Sequence, residues 1–253
     1  MPDERLTSLT VVLPCHDEAD NVHAAISAAR EAAAAAARDY EVLVVDDGSA
    51  DATRRLAAAA TVDDPRVRLL VHETNRGYGT ALRTGIEAAR CDWILLTDAD
   101  LQFDVSQVRD FVGPARTHDL VLGHRVVRMD PLVRRVNAYA WNRLVGRVFD
   151  LGVRDVDCAF KLIRRELAQR LRLSADGAMI STEMLARARL AGAAITELGV
   201  RHRPRTAGHQ SGANPAVVLT AFRELRRIGA ELEGDAAPGR MPSTSEPPHP
   251  AAV

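Results

Sequence analysis

Short apolar runs alternate with alanine-rich stretches through the first half of the chain. Residues 9–14 (LTVVLP), 41–45 (EVLVV), 67–71 and 93–97 (WILLT) are rich in Val, Leu and Ile and predict strands. Between them, residues 21–38, 52–60 and 80–89 carry helix formers and predict helices. Strands alternating with helices at this spacing predict an α/β fold with a doubly wound, mainly parallel sheet. The strands are apolar without alternation, which predicts a sheet covered by helices on both faces. Such sheets bind ligands beyond the carboxyl ends of their strands. The polar clusters of the first half, residues 14–18, 46–51 and 98–102, all sit at those ends.

The second half is less regular. Strands are predicted at 120–123, 158–163 and 195–200, and helices at 131–151, 181–191 and 215–232. From about residue 234 the chain is Pro, Ser, Gly and Ala with almost no core-forming side chains, so 233–253 is expected to be a disordered tail. A length of 253 residues with 47% hydrophobic and 26% charged side chains suits one domain, 1–232. A net charge of -1 gives no signal for a nucleic-acid partner. Cys15, Cys91 and Cys158 lie far apart and in odd number, so they read as small buried hydrophobes of a reducing compartment, not as disulfides or a zinc site. The N-terminus lacks the pattern of a signal peptide, and no run approaches the ~20 apolar residues of a membrane span. A soluble or peripheral protein is expected.

Three segments carry the candidate chemistry. Asp98-Ala99-Asp100 follows a buried strand, where two carboxylates repel each other and resist desolvation unless a cation meets them. Mg²⁺ or Mn²⁺ is the fitting ion, since it binds a few carboxylates together with phosphate oxygens, and Gln102 offers a neutral oxygen. The bland alternative is a solvated acidic turn or a helix N-cap. In Asp46-Asp47-Gly48-Ser49-Ala50-Asp51, Gly48 permits a turn and Ser49 or Asp51 caps the next helix; Asp46 and Asp47 are left over to accept bonds from ribose hydroxyls or a base. Asn75-Arg76-Gly77-Tyr78-Gly79 joins the third strand to the third helix, and its glycines let backbone approach a ligand or make a plain turn.

In this order the segments resemble the dolichol-phosphate mannose and glucose synthase branch of the family 2 glycosyltransferases. The residues that carry the resemblance are Pro14 to Glu18, Asp46 to Thr53, Asn75 to Ala81, Asp98 to Gln102, Gly123-His124-Arg125, Asp157 to Lys161 and Thr182 to Leu185. It implies a GT-A fold with a nucleotide-binding half at about 9–104 and an acceptor half at about 105–232. It also implies inverting transfer of mannose or glucose from GDP-mannose or UDP-glucose to a polyprenyl phosphate. By position, Pro14, Glu18, Asp46 or Asp47, and Gly77 would meet the nucleotide sugar. Asp98, Asp100 and Gln102 would serve the metal and diphosphate, Arg125 with Arg134 or Arg135 the acceptor phosphate, and Arg205 the donor diphosphate. The chain departs from the family pattern at His16 and Asp17, where Tyr and Asn are usual, and at 208–212, which lacks the usual lysine. It lacks a Q-x-x-R-W motif, which argues against processive polysaccharide synthesis.

A phosphate acceptor is largely ionised at neutral pH, with a second pKa of about 6, and needs no general base. Arginines suit it, and Arg201 and Arg203 join those already named. If the acceptor is a hydroxyl instead, Glu183 is the candidate base; its alternative is a helix N-terminal carboxylate favoured by the dipole. The helices at 131–151 and 215–232 are basic and amphipathic, with Trp141 and Phe222 on their apolar faces. They suit either the cytoplasmic face of a membrane or packing on the core or on a second copy of the chain in a homo-oligomer.

Overall fold

The computed structural model describes residues 4–126, 143, 146, 149, 151–204 and 227–231. The first half alternates as expected: β1 Leu6–Cys15, α1 Val22–Ala36, β2 Ala37–Asp47, α2 Thr53–Asp63, β3 Val67–His72, α3 Tyr78–Ala88 and β4 Trp93–Leu96. A short helix α4, Val108–Val112, then leads to β5, Leu120–Arg125. After the next described segment come β6 Lys161–Arg164, α5 Arg165–Arg170, α6 Ile180–Leu190 and β7 Ile195–Val200. Helices α4 and α5 have no counterpart in the sequence reading; they are too short to show a helical period.

The strands form one seven-stranded sheet in the order β3-β2-β1-β4-β6-β5-β7. All neighbours are parallel except β6, which runs antiparallel to both β4 and β5. Successive residues of β1 and β2 point to opposite faces, as the pleat demands. Val11, Leu13, Val42 and Val44 join a core under α1, α2 and α4, while Val12, Leu43 and Val45 join a second core under α3, α5 and α6. Each residue of Val11–Leu13 is fully buried, which is why the run is apolar without alternation.

Most boundaries shift by a few residues from expectation, and two of the shifts have a visible cause. Strand β2 begins at Ala37, straight from the end of α1, because Leu6 pairs with Ala37 and extends the ladder over the polar Arg38 and Asp39. The strand expected over 158–163 is Lys161–Arg164. Its predecessors form a loop closed by the Cys158 amide on the Asp155 carbonyl (3.3 Å). All three cysteines are free and buried. Of the two amphipathic helices, residues 227–231 are helical and Ile228 is fully buried in the second core; nearly all the rest, and the expected tail, lies outside the described residues. No described helix is long and apolar enough to cross a membrane.

Candidate active site

The order of strands reverses between β1 and β4, so the loops after them diverge and open a crevice at the carboxyl edge of the sheet. Register places Cys15 beside Asp46, and the Thr97 amide on the Val12 carbonyl (3.4 Å). Pro14, Glu18, Asp46, Asp98 and Asp100 therefore gather at this edge from three separate strands.

Loop 16–19 is sewn to loop 47–53. His16 Nδ1 meets the Asp47 carbonyl (2.9 Å), the Asp17 amide donates to Ser49 Oγ (3.0 Å), and Asp17 Oδ1 accepts the Ala50 amide (2.8 Å). The Glu18 and Ala19 amides donate to Thr53 Oγ1 and Asp51 Oδ2. Asp17 sits at φ 54°, a region that Asp and Asn tolerate better than other side chains. His16 and Asp17, the departures from the family pattern, thus serve as loop staples. Gly48, at φ 69°, has no substitute: a Cβ there would lie 2.4 Å from the Thr74 carbonyl carbon.

The two adjacent aspartates separate by their partners. Asp47 is buried and fully used: Oδ1 accepts His72 Nδ1 (2.6 Å) and the Arg76 amide (2.9 Å), and Oδ2 the Gly77 amide (2.8 Å). Asp46 is 1% exposed; its Oδ1 accepts the Ser49 amide (3.3 Å), and its buried Oδ2 has no partner. An unpartnered buried carboxylate oxygen is costly without a ligand to donate to it. Of the pair left open by the sequence, Asp46 has the vacant acceptor.

Asp98 precedes, and Asp100 lies in, a bend that closes at Leu101, which adopts φ 60°. Asp100 Oδ1 accepts the Gln102 amide (3.1 Å). Asp98 Oδ1 accepts the Tyr78 hydroxyl (3.0 Å). Burial and the neighbouring Asp100 charge push Asp98 up to about 6, against the pull of Tyr78, Lys161 and Arg125. Burial and the Asp98 charge in turn raise the Tyr78 phenol well above its ordinary range. Two carboxylates and the Gln102 amide make a hard-oxygen set that fits Mg²⁺ or Mn²⁺ only with further oxygens from a ligand. Among the described residues no three His, Cys, Asp or Glu side chains group to hold a metal by themselves.

Cations flank this cluster. Lys161 is buried, donates to the Cys158 carbonyl and to Ser181 Oγ (3.1 Å), and is held below its ordinary range by burial, which Asp155, Asp157 and Asp98 oppose. Arg125 makes a two-pronged pair with Asp155 through Nε (2.7 Å) and Nη2 (2.8 Å). Burial works against its charge, but the Asp155 bonds and charge win and raise it. Gln102 bonds the backbone of Arg203 in both directions (2.7 and 3.2 Å), which brings the exposed Arg201 and Arg203 beside the acidic turn, where both pair with Asp104. Arg134, Arg135 and Arg205 lie outside the described residues.

Glu183 does not have the form of a base. It is fully buried, and its carboxylate accepts the Ser174 and Ala175 amides, Ser174 Oγ and Arg187 Nε, all within 3.0 Å. It anchors loop 174–176, and no oxygen faces a ligand unshared. Tyr78 and Asp155, which bond Asp98 and Arg125, and Lys161, whose charge acts on Asp98, were not singled out from the sequence. Tyr78 and Lys161 lie in segments that carry the family resemblance, and a lysine within an apolar run, Phe160-Lys161-Leu162, was a further visible signal.

Residues 10–172 match the family described as Glycosyl transferase family 2. The chain belongs to this family. Glycosyltransferase AglD of Haloferax volcanii is 31% identical over 207 residues, covering 78% of this chain and 33% of that protein. Dolichyl-phosphate beta-glucosyltransferase of Dictyostelium discoideum is 33% identical over 146 residues, 52% of this chain and 45% of that one. The chain thus spans less than half the length of these curated relatives. Among solved structures, glucosyl-3-phosphoglycerate synthase from Mycobacterium tuberculosis, in complex with Mn²⁺, UDP and glucosyl-3-phosphoglycerate, superposes with a TM-score of 0.65 at 22% identity, over 90% of this chain and 80% of that one. That likeness is one of fold, and the family 2 domain here is a GT-A-like mixed sheet flanked by helices.

Proposed function

We propose that this family 2 domain is a metal-dependent inverting hexosyltransferase that moves mannose or glucose from a GDP- or UDP-sugar to a polyprenyl phosphate. The observation that carries the donor half is the pair Asp98 and Asp100 at the crevice, with the vacant Asp46 Oδ2 alongside. Asp46, Pro14 and Glu18 receive the nucleoside, and the backbone at Gly77 lies near. Asp98, Asp100 and Gln102 would hold a divalent ion, which would supply positive charge to the departing diphosphate. The sheet unites both halves of the chain, which supports reading 1–232 as one catalytic domain.

For the acceptor, the full occupancy of Glu183 favours a nucleophile that needs no base. A phosphate oxygen attacks the anomeric carbon opposite the leaving diphosphate. One C–O bond forms as the other breaks, and the configuration inverts. Arg125, Arg201 and Arg203, with Arg134, Arg135 and Arg205 by position in the sequence, provide the charge such an acceptor requires. The curated relatives named for dolichyl- and undecaprenyl-phosphate transfer support the same acceptor class. Such an enzyme works at the inner face of the membrane as a peripheral protein. The test is incubation with Mn²⁺ or Mg²⁺, a polyprenyl phosphate and a panel of nucleotide sugars, followed by mass analysis of the lipid. Transfer to a hydroxyl acceptor with none to the lipid phosphate refutes the acceptor reading.

A further inference from the structure

The turn that carries Tyr78 is gripped from two sides by groups far apart in sequence. On one side Asp47 accepts the Arg76 and Gly77 amides. On the other, the Asp176 carbonyl accepts the Gly79 amide (2.7 Å), and Asp176 Oδ1 accepts Thr80 Oγ1 (3.0 Å) and Arg83 Nη2 (2.8 Å). Arg83 also reaches the Ala175 carbonyl (3.0 Å). The backbones touch here: a Cβ on Gly79 would lie 2.3 Å from the Ala175 oxygen, and one on Gly77 2.5 Å from the Asp176 oxygen. The gripping loop is itself fixed by Glu183, and Arg187 ties Glu183 to Glu231 (2.9 Å).

Tyr78 is the piece of this clamp that reaches the acid cluster. Its ring is stiff, with few rotatable bonds, and its hydroxyl ends on Asp98 Oδ1. We infer that Tyr78 is a positioning residue for Asp98, and that Glu183 and loop 174–176, from the second half of the chain, set the donor-side carboxylates through it. The inference rests on the proposed role of Asp98 at the metal. It gives Glu183 an effect on metal binding without contact with the metal and without proton transfer.

The experiment uses the full chain and its Tyr78→Phe, Glu183→Gln and doubly substituted forms. Two quantities are read: backbone hydrogen exchange over residues 98–102 without metal, and Mn²⁺ affinity by electron paramagnetic resonance with UDP or GDP present. Groups that orient metal ligands are typically worth about 10–100-fold in metal affinity. Tyr78→Phe is expected to stay folded with a melting temperature lower by no more than a few degrees, to exchange faster over 98–102, and to bind Mn²⁺ about 10–100-fold more weakly. Glu183→Gln is expected to weaken Mn²⁺ as well, and the double form to be no weaker than the poorer single one. If Glu183→Gln does not fold, Asp176→Ala takes its place, since it loosens the same loop from its exposed side. Unchanged exchange in Tyr78→Phe, or two effects that simply multiply, overturns the inference. A wild-type chain that binds no Mn²⁺ with either nucleotide instead defeats the metal-site reading, while faster exchange in Tyr78→Phe still upholds the strut.

Discussion

Asp46 and Asp47 are neighbours of identical chemistry, and substitution by asparagine should separate them. In Asp47→Asn, an amide NH₂ replaces one of two oxygens that face donors, so either the Gly77 amide or the Arg76–His72 pair loses its acceptor. A buried donor left unsatisfied costs about 1–3 kcal/mol, and the bonds that remain lose their charge assistance. The expected loss is on the order of 2–4 kcal/mol, or about 5–15 °C in melting temperature for a chain of this size. Asp46→Asn leaves Oδ2 without a protein partner to lose, and it removes a buried charge, so stability should hold or rise. Nucleotide affinity should respond the other way, falling about 10-fold or more in Asp46→Asn, the worth of one charged hydrogen bond. Urea unfolding and calorimetric titration with UDP and GDP measure both quantities. If Asp47→Asn melts with the wild type and loses nucleotide, while Asp46→Asn binds normally, the assignment is reversed and the reasoning from the orphan oxygen fails.

Other outcomes follow from the same geometry. Gly79→Ala should lower the melting temperature by several degrees, because its Cβ meets only backbone atoms of 175–177 and overpacking costs about 1–3 kcal/mol; an unchanged melt would mean the loop yields freely. Burial and the Asp100 charge hold Asp98 up at about 6 in the folded chain, against about 3.9 for a free aspartate, so the metal-free fold binds the extra proton and its stability should fall as pH rises from about 4 to 6, by up to about 3 kcal/mol, then level off. Thermal melts in a chelator should show that slope, and Asp98→Asn should flatten it; equal slopes would place the titration elsewhere. Lys161→Met should leave the Asp98 apparent pKa higher still, since it removes a cation that opposes the raise; a lower value by the same melts contradicts the arrangement.

Much of the first half was legible because a parallel sheet covered on both faces forces short runs of apolar residues that stop where the chain meets solvent. The runs ending at Pro14, Val45 and Thr97 marked the carboxyl edge, and the acids beyond them marked the crevice. Strand β7 fell on Ile195–Val200 as read. Strand β6 was legible as apolar sequence but not as antiparallel, since direction is set by which neighbours it joins and not by its own residues.

The sequence by itself determined the elements, the edge at which polar groups collect, the family pattern and the identity of the acidic pair, because these depend on local periodicity and on residue chemistry. Only the tertiary structure decided the division of work among them. Asp46 and Asp47 are indistinguishable as letters, yet one closes a loop around His72 and Gly77 and the other keeps an oxygen open. Glu183 reads as a base or a helix cap until four donors from Ser174, Ala175 and Arg187 are seen around it. Tyr78 and Asp98 stand apart in the chain and meet only because α3 packs on the sheet that contains β4. Hydrogen bonds between distant residues leave no trace in local pattern, so a carboxylate's partners, and with them its role, are fixed only when the chain has folded.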